Sequence, residues 1–382
     1  MAAPSDVPDR RRPAKGNWRG AFARLVANPT FQRFAAKFPF AGALAQRDGT
    51  EIFDILQGFV ASQVLLALIE LEVLQDLLHG PASAEALSRR RRIPEDRMEA
   101  LLQAGAALRL LKRGRKGDFA LARRGAAILG VPGLTDMIRH NTAFYKDMTD
   151  PVSILRGEGE GDTHLARFWP YVFGQSSDVP RDEAERYSDL MAKSQVLVAE
   201  DTLRAVSLRG GTTLMDVGGG SGVFVSAALR RHRHLRASLV DLPEVLPTAE
   251  SRLAQAGVLE RVSLHPGSFR EAPLPKGADI ISLIRVLYDH DDATVRDLLA
   301  KAYDALPRGG RLIISEPMAG GGRPERAGDI YFAFYTMAMG TGRTRSPDRI
   351  ATLCDEAGFD RGAAPSVRRP YVTRVLTFAK PA

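Results

Sequence analysis

The sequence has a single cysteine in 382 residues, Cys354, so an intramolecular disulfide is excluded and a reducing compartment is expected. It has no uninterrupted apolar run of membrane-spanning length. The best candidate, Phe59 to Leu78, is broken by Gln63, Glu70, Glu72, Gln75 and Asp76 and reads as a buried helix. The basic N-terminus has no apolar core behind it, so no secretory leader is expected and a cytoplasmic location is. No Cys/His/Asp cluster has metal-ligand spacing, and neither Gly-x-Ser-x-Gly nor a Ser/His/Asp pattern is present. No bound metal is expected, and the common hydrolase designs are left out.

The composition is 45% hydrophobic and 26% charged, enough for two cores plus a tail. The formal charge is +8, with arginine runs at Arg10–Arg12 and Arg89–Arg92. Such runs suit nucleic acid, an anionic membrane face or simply a solvated surface.

Residues 1–20 carry no apolar period and are expected to lack regular structure. From Trp18 to Leu44, Phe22, Phe31, Phe34, Phe38 and Phe40 interleave with Arg24, Arg33 and Lys37. This pattern fits an arm packed on a partner subunit or, failing that, one that touches a membrane. Residues 50–150 read as helical, with Phe53, Leu56, Phe59, Val60, Val64, Leu68 and Leu71 at helical spacing. A helix over Ala82–Arg89, another beginning near Pro94 and running to Leu110, and a hairpin over Leu111–Leu121 outline a winged helix. A helical stretch over residues 180–208 follows.

Short β-rich runs then alternate with helical segments: Thr213–Val217, Ala237–Val240, Val262–His265, Ile280–Leu287 and Leu312–Ser315. That alternation predicts a doubly wound parallel sheet, with a closing pair of strands over Ser366–Ala379. The first strand ends at Asp216, and Val217-Gly218-Gly219-Gly220-Ser221-Gly222 follows. A dinucleotide fingerprint would place a glycine at 223, where the chain has Val223; Gly218, Gly220 and Gly222 give a tighter turn. Asp241 ends the second strand, nineteen residues beyond Gly222, where a carboxylate can accept from both hydroxyls of a ribose. Turn and acid together point to a nucleoside cofactor.

These residues resemble the acetylserotonin/caffeate-type, metal-independent O-methyltransferases. The resemblance is carried by Asp216 to Gly222, Asp241-Leu242-Pro243, Gly267-Ser268-Phe269, Arg285-Val286-Leu287-Tyr288-Asp289-His290, Ile314-Ser315-Glu316 and Gly342-Arg343-Thr344-Arg345-Ser346. Within the family, Ser315-Glu316-Pro317-Met318 and the run Arg326 to Ala333 look most like the branch that methylates acyclic hydroxycarotenoids. The resemblance implies an α/β fold: a Rossmann-like class I methyltransferase domain with a mostly parallel sheet and an antiparallel last strand, preceded by a helical winged-helix dimerisation domain. It places a flexible basic and aromatic arm at 1–45, the dimerisation domain at 46–180 and the methyltransferase domain at 181–382. The implied cofactor is S-adenosylmethionine, held by Asp216, Gly218, Gly220, Gly222, Asp241, Leu242, Ser268, Phe269 and Arg285. The implied partners are a hydrophobic hydroxycarotenoid and a second copy of the chain. Peripheral contact with the inner membrane stays open, and no nucleic acid is expected.

The chain departs from the family pattern at three places. The family's general-base histidine falls on Tyr288, the adenine-side acid on Ser268, and one of two glutamates flanking the base on Thr344, while Glu316 keeps the other. The candidate catalytic residues are therefore His290, Tyr288, Asp289 and Glu316. His290 titrates in the useful range with Asp289 or Glu316 holding its ring, Tyr288 orients or relays, or positioning alone carries the rate. A non-methylating relative and a winged-helix DNA-binding regulator are the competing readings.

Overall fold

The computed structural model describes residues 18–35, 37, 39–158, 161–167 and 181–382. The expectation for residues 1–17, and Phe38 within the aromatic run, lie outside the described residues. The chain divides into two compact units, Met1–Gly125 and Ala126–Ala382. Residues 126–158 and 161–167, expected with the N-terminal domain, fall in the second unit.

The first unit opens with α1 (Trp18–Val26), α2 (Pro29–Ala35) and the 32-residue α3 (Pro39–Glu70). It continues with α4 (Val73–Leu78), α5 (Ala84–Arg91), α6 (Glu95–Ala107) and the antiparallel hairpin β1 (Leu111–Arg113) and β2 (Phe119–Leu121). Ser83 caps α5 by accepting from the Ala86 N–H, and Pro94 stands at the start of α6, where its missing N–H costs nothing. Leu68, Leu74, Leu87, Met98, Leu102 and Phe119 are fully buried. The helices and hairpin are those of the expected winged helix. Much of the arginine run is spent at home: Arg90 and Arg91 hold Asp76, and Arg91 also reaches Glu72 at 2.6 Å.

α3 corrects the sequence reading. It begins twenty residues before Phe59, so the helix expected over Phe59–Leu78 is divided between α3 and α4. Leu68, Ile69, Val73, Leu74 and Leu77 are buried as expected, but Phe59 is 71% exposed and continues a stripe with Ile52, Ile55 and Leu56, which are 66%, 73% and 69% exposed. By length and composition its Ala41–Glu70 stretch would also cross a membrane, though Leu68 and Ile69 belong to the core of the first unit. Periodicity found the apolar stripe but could not say that this fold leaves it uncovered.

The division falls within α7 (Arg123–Gly130). The second unit adds α8 (Leu134–Asp147), α9 (Pro151–Arg156), α10 (His164–Arg167) and α11 (Arg181–Ala205), then a sheet with helices on both faces. In chain order follow β3 (Thr213–Val217), α12 (Val223–Arg231), β4 (Arg236–Asp241), α13 (Leu246–Gln255), β5 (Val262–Pro266), β6 (Ile280–Ile284), α14 (Asp292–Ala305) and β7 (Arg311–Glu316). A π-helical turn (Arg326–Phe332) leads into α15 (Ala333–Ala338), α16 (Pro347–Glu356), β8 (Asp360–Arg361) and β9 (Arg374–Ala379). Seven of the strands form this sheet, in the order β5-β4-β3-β6-β7-β9-β8, parallel except for β9 against both its neighbours. The closing pair is therefore β8 with β9; within 366–379 only one strand forms.

Burial on both faces explains why β6 reads Ile-Ile-Ser-Leu-Ile with every residue buried. One face packs on α14 and α16 through Leu298, Leu299, Ile350 and Leu353. The other packs on α11, α12 and α13 through Val198, Leu229 and Leu253. Strand order reverses direction between β3 and β6, which opens a crevice at their carboxyl ends. The glycine turn after β3 and the turn after β6 both border it.

Candidate active site

The first half of the site is the glycine turn. Gly218, Gly220 and Gly222 have φ of 66°, 56° and 74°, a left-handed region costly for residues with a Cβ. A Cβ on Gly218 would approach Val286 to 3.0 Å, so this turn packs directly on the one after β6. At Gly220 a Cβ would meet nothing within 4 Å, which leaves open space along the turn.

Two carboxyls face this turn. Asp241 Oδ2 accepts from the Gly220 N–H and Oδ1 from the Leu242 N–H, each at 2.7 Å. Each oxygen keeps a second lone pair for a hydroxyl. Burial raises the Asp241 carboxyl, against the two N–H donors. Asp216 is buried within β3; Ser282 Oγ donates to its Oδ1 at 2.5 Å, while Oδ2 has no partner among the described residues. Burial lifts its pKa to about 7, Ser282 opposes, and Asp241 adds to the rise. A turn with open space, a carboxylate with free lone pairs and a buried acid oxygen without a donor fit a ligand carrying vicinal hydroxyls and positive charge.

Ser268 and Phe269 stand beyond β5. Ser268 Oγ accepts from the Arg270 N–H at 3.2 Å, and Val240, Gly267, Ser268, Phe269 and Leu274 line a cavity of about 180 Å³ on this side. Leu242 contributes its backbone N–H to Asp241.

The second half is the turn after β6. Arg285 adopts φ of 58°, uncommon for a residue with a side chain, and so ends the strand earlier than the expected Leu287. Its N–H donates to Ser315 O at 2.8 Å. Its guanidinium donates to Ser194 Oγ at 2.9 Å and to the Tyr288 hydroxyl at 3.0 Å. Arg285, expected at the cofactor, is therefore tied to the candidate catalytic residues. Tyr288 is fully buried, and Glu316 Oε2 accepts from its backbone N–H at 3.2 Å. Glu316 Oε1 and Asp289 Oδ1 are enclosed with no partner among the described residues.

Burial dominates the electrostatics of this cluster. It lifts Glu316 to about 7 and raises Asp289 well above the carboxylate range, against the pull of Arg285 and a hydrogen bond from Tyr288. It also raises the Tyr288 phenol over the opposing Arg285, so the hydroxyl is neutral near pH 7.

His290 differs from the expectation. Burial, with Arg270 and Arg345 behind it, lowers its pKa to about 3, far from the neutral range expected. Arg270 Nη2 lies 2.9 Å from Nδ1. A guanidinium only donates, so Nδ1 accepts and the proton of the neutral ring is on Nε2. Neither ring nitrogen then offers a free lone pair. The ring meets Phe269 edge-on at 5.3 Å, and its Nδ1 bond is to Arg270 rather than to Asp289 or Glu316.

Sequence reasoning passed over Arg345, although it stands in a quoted motif. This buried guanidinium donates to Leu287 O at 2.7 Å, His290 O at 2.8 Å and Asp292 Oδ1 at 2.7 Å, clamping the turn. Asp292 pairs with Arg345 and Arg349, and Asp291 caps α14 by accepting from the Thr294 N–H. Ser194 and Arg270 carried no signal beyond their residue type. His140 lies 2.9 Å from the Tyr335 hydroxyl through Nε2, in a cluster with Phe144 and Tyr331. Beside the turn, Ile154, Leu155, Thr336, Met337 and Thr344 line a cavity of about 530 Å³. The Arg343 N–H ties that wall to Tyr288 O at 2.8 Å.

Comparison with known proteins shows the family. Residues 145–360 match the O-methyltransferase domain family and residues 53–129 the O-methyltransferase dimerisation domain. The chain is 49% identical, over 94% of its length and 94% of the relative's, to demethylspheroidene O-methyltransferase of Cereibacter sphaeroides. It is 47% identical, over 93% of its length and 88% of the relative's, to the Rhodobacter capsulatus protein of that name. The crystal structure of human N-acetylserotonin methyltransferase in complex with S-adenosylmethionine shares the fold, with a TM-score of 0.71 at 23% identity over 88% of this chain and 98% of that one.

Two measurements test the cofactor half. Asp241→Ala removes the acceptor for two hydroxyls and is expected to weaken S-adenosylmethionine binding by about 2–4 kcal/mol in calorimetry; unchanged affinity in a folded variant would reject the assignment. Asp216 titrates near 7 folded but near 3.8 unfolded, so between these values the folded chain binds more protons and its stability falls as pH rises. The melting advantage of Asp216→Asn over the cofactor-free parent should therefore grow from about pH 4 to pH 7 and level off above. A difference that does not change with pH would show that the Asp216 carboxyl has no raised pKa.

Proposed function

We propose, for a chain that belongs to the S-adenosylmethionine-dependent O-methyltransferase family, that the group methylated is the tertiary 1-hydroxyl of an acyclic hydroxycarotenoid of the demethylspheroidene type. The observation that carries this reading is near one-half identity, along almost the whole chain, to two enzymes named for that substrate. Such a substrate partitions into lipid, so the reading includes a cytoplasmic enzyme that works against the inner membrane.

Asp216, Gly218, Gly220, Gly222, Asp241 and Leu242 would hold the cofactor, with Ser268 and Phe269 on the adenine side. When bound, S-adenosylmethionine supplies a methyl group on a positively charged sulfur. The residues of the second turn align the alcohol, exclude water and take its proton. Tyr288 cannot serve as a base while its phenol stays neutral. Held by Arg285 on one side, its hydroxyl is placed to orient the alcohol and pass a proton towards Asp289. Asp289, whose Oδ1 is enclosed and without a donor among the described residues, is the acceptor that the arrangement favours in its ionised form, which burial disfavours and which Arg285 and the Tyr288 hydroxyl stabilise. Glu316 and Arg345 act through the backbone of the turn and are positioning residues. His290 is assigned to the scaffold, because its lone pair is engaged by Arg270.

Dimerisation falls to the first unit. The dimerisation match covers residues 53–129, and the exposed Ile55, Leu56 and Phe59 of α3 lie within it, where a second copy can bury them.

With methyl-labelled cofactor and a hydroxylated acyclic carotenoid, label is expected in the lipid; none there, with turnover on another alcohol, would overturn the substrate. Asp289→Asn is expected to lower kcat about 10²–10⁴-fold with cofactor affinity intact, and Tyr288→Phe to lower it by less. His290→Ala should cost less than either. A loss on His290→Ala as large as that on Asp289→Asn would return the base to the imidazole. Light scattering at micromolar concentration should give twice the chain's 41.6 kDa; a monomer mass would remove the dimer.

A further inference from the structure

Upstream of the dimerisation match at residue 53 lies a segment that neither half of the active site uses. Between Arg10 and Lys37 the sequence carries eight Lys or Arg and no Asp or Glu. Within it, α1 and α2 form a built corner. Asn28 Oδ1 accepts from the Thr30 N–H at 2.8 Å, capping α2, and Gln32 Nε2 reaches back to Val26 O at 2.7 Å. On this corner Phe22, Leu25 and Phe34 are 55%, 46% and 58% exposed. Phe22 and Leu25 are three residues apart and share one face of α1. Arg24 and Arg33 stand on the same two helices, neither of which contains an acid.

A protein core could take the apolar side chains but not so many cations without acids to meet them. A nucleic acid could take the cations but has little use for Leu25 and the aliphatic run around it. The region between lipid headgroups and acyl chains accommodates both, with aromatic and aliphatic groups sinking in and cations meeting phosphate. We propose that the α1–α2 corner docks the enzyme on an anionic lipid surface. Charge also argues against a second copy as the occupant, because the same arm on another chain would bring the same cations to a protein of net charge +8. The inference goes beyond the assigned substrate and stands whichever alcohol is methylated.

The test uses the full chain and sedimentation with vesicles of phosphatidylcholine alone or mixed 7:3 with phosphatidylglycerol. Binding is expected to the mixed vesicles only and to weaken as salt rises from 50 to 500 mM. Arg24→Glu with Arg33→Glu should lower that binding at least about tenfold, and Phe22→Ser with Leu25→Ser severalfold, with the dimer mass unchanged. Equal binding to both vesicle types, no binding to either, or parent-like binding by both double variants would overturn the proposal. So would conversion to monomer by Phe22→Ser with Leu25→Ser, which would make the arm a subunit contact. A DNA duplex that binds more tightly than the mixed vesicles and displaces them would overturn it in favour of nucleic acid. The readout is physical, so its failure is distinct from failure of the alcohol assay.

Discussion

Arg285, Tyr288, Asp289 and Glu316 crowd one turn at the end of β6 and β7, and much of the surrounding structure keeps that turn in place. Burying so many ionisable groups is unfavourable unless each finds a partner. The guanidinium of Arg285 meets Ser194 and Tyr288, and Glu316 meets the Tyr288 backbone. A left-handed Arg285 costs on the order of 1–2 kcal/mol, offset by its N–H bond to β7 and by Arg345, which gathers the carbonyls of Leu287 and His290. The oxygens left over, on Asp289 and Glu316, point to where chemistry can be done.

The parallel sheet supplies the second constraint. Because β3 and β6 are neighbours whose connections leave in opposite directions, their carboxyl ends cannot be covered by either set of helices. The glycine turn and the charged turn meet across that crevice, with Gly218 against Val286. The turn that carries the candidate cofactor residues and the turn that carries the candidate catalytic residues are thus brought together by topology. The first unit follows another logic: its winged helix closes a small core while α3 leaves an apolar stripe outside.

Much of the fold was legible because its signals are local. Alternating β-rich and helical runs reveal a parallel sheet, and the glycine spacing with Asp241 marks a nucleoside site. The helices and hairpin around Pro94 and Arg113–Asp118 come from turn chemistry. The failures share a cause. Leu287 reads as strand because nothing in its residue type reveals that Arg285 will turn left-handed. The α3 stripe reads as buried because periodicity reports apolarity and not what covers it. The division of the chain near Gly125 depends on where α8 to α10 find their core, beside Tyr335 and Met339, almost two hundred residues away in sequence.

The sequence by itself determined the kind of cofactor and the two turns that carry the candidate site residues. Backbone turns and acid spacing are short-range properties that the residue order contains. Tertiary structure alone decided how those residues behave. His290 has the right intrinsic pKa, but Arg270, twenty positions earlier, occupies its lone pair and burial removes its charge. Arg345, an unremarked member of a motif, became the clamp of the turn after β6 because folding buried it among three carbonyls and a carboxylate. Protonation and partnership follow from desolvation and from neighbours distant in sequence, and these exist only once the chain has folded.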